Sequence, residues 1–394
     1  MRSKILILLI VVFITIPVSV NAAEPKAAFI RSDGLWLKKG TKETRLVSES
    51  GLTQPKWSFD GTYISYYDFE GKLWAYSLST HDKKEVFHSS VSLAQWSPRE
   101  KTIAFKDSSI LNIRKLEPYS PFSNAALGTG SYSWTPDGQG FIVSSDANLT
   151  PAGWTNVAIF HVPMDASGNT GKVKKLAELP GESDDFFAIG TSPFLFSVNK
   201  NLMAFIACPT ASYSADRNFL SLLTTEGKKF RVVGEVLADI NWMKWSTDGN
   251  FIAFIEGEGR LTTENKKLTI FSTTDNKKKS YTPAGYADGD FTWTSKTSIV
   301  VSRKKESGWN IAQEKRPKPQ LVSVDLMTGG SRNITSQSSQ YSDTHPVSLK
   351  DNQLFWERHQ QSGIHVWQAD SNGSSQKIWI ENVTPEQWSI YQTN

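Results

Sequence analysis

The chain has 394 residues, with 43 Lys and Arg against 39 Asp and Glu, a formal charge of +4 and a single cysteine. So even a balance excludes a protein built on phosphate contacts, which would carry a basic face or stripe. One cysteine excludes an internal disulfide framework, and a chain too long for one layered core, yet without any linker-like stretch, points to repeats.

The first segment, MRSKILILLIVVFITIPVSVNAAEP, sets Arg2 and Lys4 ahead of an apolar run that ends in the small-residue stretch Val20, Asn21, Ala22. This reads as a secretory signal peptide over residues 1–22, with 23–394 as one domain. It implies an exported protein, extracellular or in the cell envelope, with no membrane span after cleavage; retention as an uncleaved anchor is the alternative. Without Arg2 and Lys4 the chain keeps 41 basic against 39 acidic residues, and nucleic acid is not an expected partner. Beyond the leader, Val, Ile, Phe, Trp, Tyr and Thr in short alternating runs replace any long helix-spaced pattern, so the class is all-β.

Four segments then repeat one design: PKWSFDGTYISYYD from Pro55, AQWSPREKTIAFKD from Ala94, YSWTPDGQGFIVSSD from Tyr132 and MKWSTDGNFIAFIEG from Met243. Weaker copies begin at Leu195, Phe291 and His345. In each, a Trp or other large apolar residue ends a strand, Ser or Thr with Asp makes a turn through side-chain-to-backbone bonds, Gly takes positive φ, and an apolar strand follows. A third run such as KLTIFST and a fourth strand after a polar turn complete a four-stranded antiparallel unit. Units repeated at roughly forty to sixty residues describe the blades of a β-propeller. Trp245 is read as core between blades, and Asp248 with Gly249 as a turn rather than a ligand set.

The two ends fit one another. AAFIRSD, LWLKK and TRLVSES match the second, third and fourth strands of a blade without a first, and TPEQWSIYQTN resembles a first strand with nothing after it. The C-terminal strand with Trp388 is therefore expected to complete the N-terminal blade, closing the ring and removing a free edge. First strands at Trp57, Trp96, Trp134, Phe196, Trp245, Trp293, Val347 and Trp388 give eight blades, or seven if a weak copy is a loop.

The W-S-x-D-G pattern followed by an apolar strand, with RNIT (332–335) and ENVT (381–384) closing units, resembles the WD40-like repeats of the TolB propeller family. That resemblance implies a propeller used mainly to bind proteins in the cell envelope, with related propellers beside hydrolase domains in prolyl-oligopeptidase-like peptidases. The blade number exceeds the six of TolB, and no domain like its N-terminal one precedes the repeats. No functional residue of the family maps onto this chain.

Long insertions at 145–156, 208–218, 256–266 and 303–319 all fall between second and third strands and so mark one face as the recognition surface. Exposed aromatic and Arg side chains there, Trp154, Tyr213, Arg217, Arg260 and Trp309, are the candidate binding residues, each weighed against folding back over its own loop. Asp185, Asp239, Asp290 and Asp343 lie near the crossings between blades and are candidates for an acidic ring at the channel mouth, able to hold a cation or a basic group; local turn bonding is the competing account. No cofactor is predicted. The metal question is open: of six histidines only His359 and His365 are close in sequence, and across a strand turn. Cys208 reads as a buried inert thiol. No G-x-S-x-G or H-E-x-x-H motif is present. The expectation is a monomeric propeller that binds a protein or an envelope polymer without catalysis; the alternative is a carbohydrate-active or other hydrolytic enzyme using the acids at the mouth.

Overall fold

The computed structural model describes residues 24–392, so the expected leader lies outside the described residues. The described residues form eight antiparallel blades and one separate two-stranded hairpin. Seven blades are consecutive along the chain. Their innermost strands are Thr53–Trp57, Ser92–Trp96, Ser131–Trp134, the pair Gly190–Thr191 and Leu195–Phe196, Met243–Trp245, Tyr286–Trp293 and Ser342–Ser348. We number these blades 2 to 8.

Blade 1 is composite. Lys26–Arg31, Gly34–Lys39 and Lys42–Val47 are its outer three strands, and Trp388–Ile390 is its innermost one, paired as Ala27↔Ile390, Ala28↔Ser389 and Phe29↔Trp388. The ring is thus closed as its two ends suggest, with eight blades, and Phe29 stacks on Trp36 at 6.4 Å. In blade 5 the innermost strand is broken in two around Pro193, which has no N–H to give a ladder; this explains its weak sequence pattern.

The turn motifs that carry Asp build one local device. In MKWSTDGNFIAFIEG the Ser246 hydroxyl donates to Asp248 Oδ1 at 2.7 Å, the Asn250 N–H reaches that same oxygen at 3.1 Å, the Phe251 N–H reaches Ser246 Oγ at 3.0 Å, and Gly249 takes φ 73°. Ser58 with Asp60 and Thr135 with Asp137 repeat it. The recurrent Asp is therefore spent on its own turn.

The recurrent Trp does two things. Its ring packs between neighbouring blades, and its indole N–H bonds a carbonyl on the innermost strand of the preceding blade: Trp96 to Lys56, Trp134 to Gln95, Trp245 to Leu195 and Trp293 to Lys244, at 2.9–3.2 Å. Trp57 carries the series across the closure by donating to Ser389 O at 3.0 Å. The apolar core is divided accordingly into clusters between blades. One joins Ala253, Ile255 and Leu268 of blade 6 to Phe291, Ile299 and Val322 of blade 7, and another joins Phe355 and Val366 of blade 8 to Ala27 and Phe29 of blade 1. A fully buried aliphatic or aromatic side chain contributes about 1.5–3 kcal/mol, so these seams hold the ring together without disulfides. Cys208 is a free thiol, only partly buried where full burial was expected, and desolvation pushes its pKa up to about 11.

Register fixes which loops share a face. Ser342 lies opposite His359 and Tyr286 opposite Lys305, so the start of each innermost strand stands beside the end of the second strand and the long loop that follows it. In blades 2, 3, 7 and 8 a β-bulge falls near this start, between Thr53/Lys56, Ser92/Gln95, Asp288/Phe291 and Thr344/Val347. Bulges re-aim side chains, and here two residues of the innermost strand, Gly289 and Asp290 in blade 7 and His345 and Pro346 in blade 8, stand opposite one residue of the second. No helix among the described residues is long and apolar enough to cross a membrane.

Candidate functional site

Two constructions stand on the long-loop face. The first is a cleft between the insertions of blades 5, 6 and 7. Its loops are tied together from within: Lys266, fully buried, donates to the carbonyls of Glu258, Gly259 and Glu264 at 2.8–3.3 Å, and burial lowers its pKa. Arg260 grips Asp216 with two bonds of 2.8 and 2.6 Å, joining the blade 6 loop to that of blade 5. Thr263 and Ser307 exchange bonds of 2.8 and 3.1 Å between the loops of blades 6 and 7. Arg316 donates to the carbonyls of Ile311 and Trp309, ordering the last rim.

This bracing encloses about 680 Å³ lined by Tyr213, Arg217, Arg260, Leu261, Glu264 and Trp309, among others. Trp309 remains 77% exposed and Tyr213 68%, so neither ring folds back over its own loop. Arg217 is held beneath by Glu235 at 2.7 Å and lies 5.1 Å from the Phe219 ring. Four of the five residues singled out on the loops thus share one cleft. Trp154 does not: it sits on the blade 4 hairpin Leu149–Thr150/Gly153–Trp154 and packs toward Phe187 and the local core.

The second construction is a cluster of ionisable groups where blades 6, 7, 8 and 1 meet the channel. Asp239 caps a short 3₁₀ turn by accepting from the Asn241 N–H at 2.9 Å. Burial raises its carboxyl above the ordinary value, the Asp290 carboxylate adds to the rise, and His345 opposes it. Asp290 accepts from Trp242 Nε1 at 2.9 Å and from the His345 N–H at 3.3 Å. His345, at φ 51° on the blade 8 bulge, turns Nε2 toward Asp290 at 3.5 Å and Glu386 at 3.4 Å, and Nδ1 toward Glu357 at 3.8 Å.

Glu357 is completely buried. Its Oε1 accepts from Trp388 Nε1 at 2.7 Å and from the Glu386 N–H at 2.6 Å, and its Oε2 faces His359 Nε2 at 2.9 Å. Nearby, burial lowers the pKa of Lys244 and of Lys304, with Asp290 pulling both the other way. His359 also lines an open polar cavity of about 1000 Å³ with Tyr341, Ser342 and Gln360.

Of the four acids placed at the mouth from sequence, the structure brings Asp239 and Asp290 together. Asp185 is exposed in its crossing and shares no hydrogen bond or ion pair with the other three. Asp343 departs from the expectation. It is fully buried, clasped by Arg358 at 2.7 and 2.9 Å and by Trp356 Nε1 at 3.0 Å, because its true counterpart in blade 7 is Asp288, held likewise by Arg303. The residue two positions on, Asp290 in blade 7 and His345 in blade 8, is the one that joins the ionisable cluster. His365 is buried and bonded to the Asn382 N–H, so it does not pair with His359. The residues missed are Glu357 and His359 as a same-face pair, Glu-x-His on one strand, with His345 arriving from the next.

The eight closed blades define the class: an eight-bladed β-propeller, with a braced cleft and an ionisable cluster on its long-loop face. No family model matches the chain. It is 28% identical over 205 residues to dipeptidyl-peptidase 5 of Aspergillus fumigatus, a match covering 51% of this chain and 27% of that protein. The chain therefore spans about a quarter of the length of the curated relatives it matches. Dipeptidyl peptidase 4 of Porphyromonas gingivalis superposes with a TM-score of 0.61 over 92% of this chain and 59% of its own, at 10% identity, a likeness of fold alone. TolB of Acinetobacter baumannii aligns over 64% of this chain and 62% of its own at 17% identity and a TM-score of 0.41, too low to carry an argument.

Proposed function

We propose that this is an exported peptide-recognising propeller whose long-loop face takes an extended polypeptide segment into the cleft of blades 5 to 7. The observation that carries the reading is the pair of exposed rings, Tyr213 and Trp309, held 68% and 77% open on the rim of one braced 680 Å³ cleft. Rigid aromatic anchors on a pre-ordered rim contribute binding free energy with little ordering cost. Glu258 and Glu264 add negative charge, so the segment is one with apolar and basic side chains. The partial match to a dipeptidyl-peptidase supports a peptide as the ligand.

The test uses fluorescently labelled twelve-residue peptides, one Leu/Lys-rich and one Ser/Glu-rich, with anisotropy as the readout. The Leu/Lys peptide is expected to bind, and Tyr213→Ala with Trp309→Ala to weaken it at least tenfold without moving the melting temperature. Equal binding of both peptides, or by the double variant, sinks the reading.

Hydrolysis at the channel mouth is the second reading, favoured by Asp239 and Asp290 standing beside His345, which meets Glu357 through its other nitrogen. Turnover of a peptide or glycan library that disappears in Asp290→Asn would establish it.

A further inference from the structure

We propose that His345, Glu357 and His359 form a site for one divalent transition-metal cation of the zinc class at the mouth of blade 8. The site is independent of the peptide cleft and uses none of its residues.

Charge is the first argument. Among the described residues, the fully buried carboxylates Asp288 and Asp343 each hold an Arg, at 2.6 and 2.7 Å. Glu357 is equally buried, and its ion pairs among the described residues run to the imidazoles of His345 and His359. Burying a carboxylate is costly unless a cation compensates it, and the ion pairs of Glu357 run to imidazoles where those of Asp288 and Asp343 run to guanidinium groups. A bound divalent ion would supply the positive charge that an Arg supplies in the other two cases.

Geometry is the second. One donor atom from each of the three residues lies within 4.8 Å of the other two. Ligands about 2.0 Å from a tetrahedral centre stand about 3.3 Å apart. The separations of 2.9 Å between Glu357 and His359 and 3.8 Å between His345 and Glu357 bracket that value. Glu357 and His359 are two residues apart on one strand and so share a face, while the Thr344/Val347 bulge delivers His345 to it. Gln54 and Leu93 share the positive φ of His345 in other blades, so the bulge belongs to the architecture and only the imidazole is particular to blade 8.

The surroundings are the third. A metal-bound imidazole has its other nitrogen oriented by a carboxylate, and His345 Nε2 faces Asp290 and Glu386. A metal-bound carboxylate has its other oxygen fixed, and Glu357 Oε1 takes both Trp388 Nε1 and the Glu386 N–H. Two nitrogens and one oxygen suit zinc and its neighbours rather than calcium or magnesium, which prefer oxygen alone. Three protein ligands leave a fourth position, and His359 lines the open cavity from which water or a ligand would reach it.

The experiment strips the protein with a chelator, then titrates Zn²⁺ by calorimetry and Co²⁺ by visible absorption. One equivalent per chain is expected, weakened at least about 100-fold, with loss of the Co²⁺ band, in His345→Ala and in His359→Ala. His88→Ala and the cleft variant Tyr213→Ala are expected to bind as the parent does. Glu357→Gln should also lose the ion; if it does not fold, the two histidine variants, on half-exposed side chains, decide. Absence of saturable binding to the parent, or undiminished binding in either histidine variant, overturns the proposal.

Discussion

Arg358→Ala isolates the role of Asp343. The substitution removes both guanidinium bonds to a carboxylate with no exposure, leaving it only Trp356 Nε1 at 3.0 Å, and removes a cation stacked 4.0 Å from the Tyr341 ring and 4.3 Å from that of Trp367. Stranding one partner of a buried ion pair costs about 3–5 kcal/mol. With an unfolding entropy of roughly 2.1 cal/mol/K per residue, a chain of 394 residues has about 0.8 kcal/mol/K in total, so a loss of about 4 kcal/mol lowers the melting temperature by roughly 5 °C. Differential scanning calorimetry reads this directly. A double variant, Asp343→Leu with Arg358→Met, should recover at least half of the loss, since an apolar pair of similar size needs no compensation. A melting temperature within 1 °C of the parent for Arg358→Ala, accompanied by altered ligand binding, would refute the structural assignment and return Asp343 to the mouth.

Trp293→Phe keeps the ring between blades 6 and 7 but removes the indole bond to the Lys244 carbonyl, and should cost about 0.5–1.5 kcal/mol in urea unfolding, with peptide binding unchanged. Asp239→Asn tests the raised carboxyl. A folded pKa above the unfolded one means that the native state binds the proton more tightly, so the penalty is absent below the unfolded value of about 3.9 and complete above the folded one. The Asn variant should therefore melt higher than the parent at pH 7 and equal to it at pH 3, and a uniform offset at both pH values contradicts the burial account. Removing residues 384–394 deletes the innermost strand of blade 1 and exposes Phe29 and Trp36; gel filtration should show association through the freed edge, and a stable monomer would speak against closure as the seal.

Much of the fold was legible because its signals are local. Trp, Ser, Asp and Gly of each turn act within six residues of one another, so Ser246, Asp248 and Gly249 carry their geometry in the sequence. Ring closure was legible too, since an orphan first strand and a headless blade are complementary. The loop candidates were readable from loop length, and Tyr213, Arg217, Arg260 and Trp309 share a cleft because consecutive blades set their insertions side by side. Trp154 could not be told from these, its turning inward depending on a hairpin whose two strands are two residues each. The mouth was only half legible. Asp290 and Asp343 look equivalent in sequence, but equivalence runs from Asp288 to Asp343 and from Asp290 to His345, and the Arg that marks the structural member stands on another strand, fifteen residues later in both blades. Bulges shift the channel-facing position by an amount that composition does not record.

The joining of the two termini reaches beyond the sealing of an edge. Trp388 and the Glu386 amide, both in the final turn and strand, are what hold the buried Glu357 in place, and Trp388 is aligned by its pairing with Phe29 near the other terminus. The buried Glu357 therefore gains its amide and indole donors only when strand Trp388–Ile390 docks beside Phe29. Cleavage between blade 8 and that strand would leave the long loops in place while taking from Glu357 two of the donors that fix it.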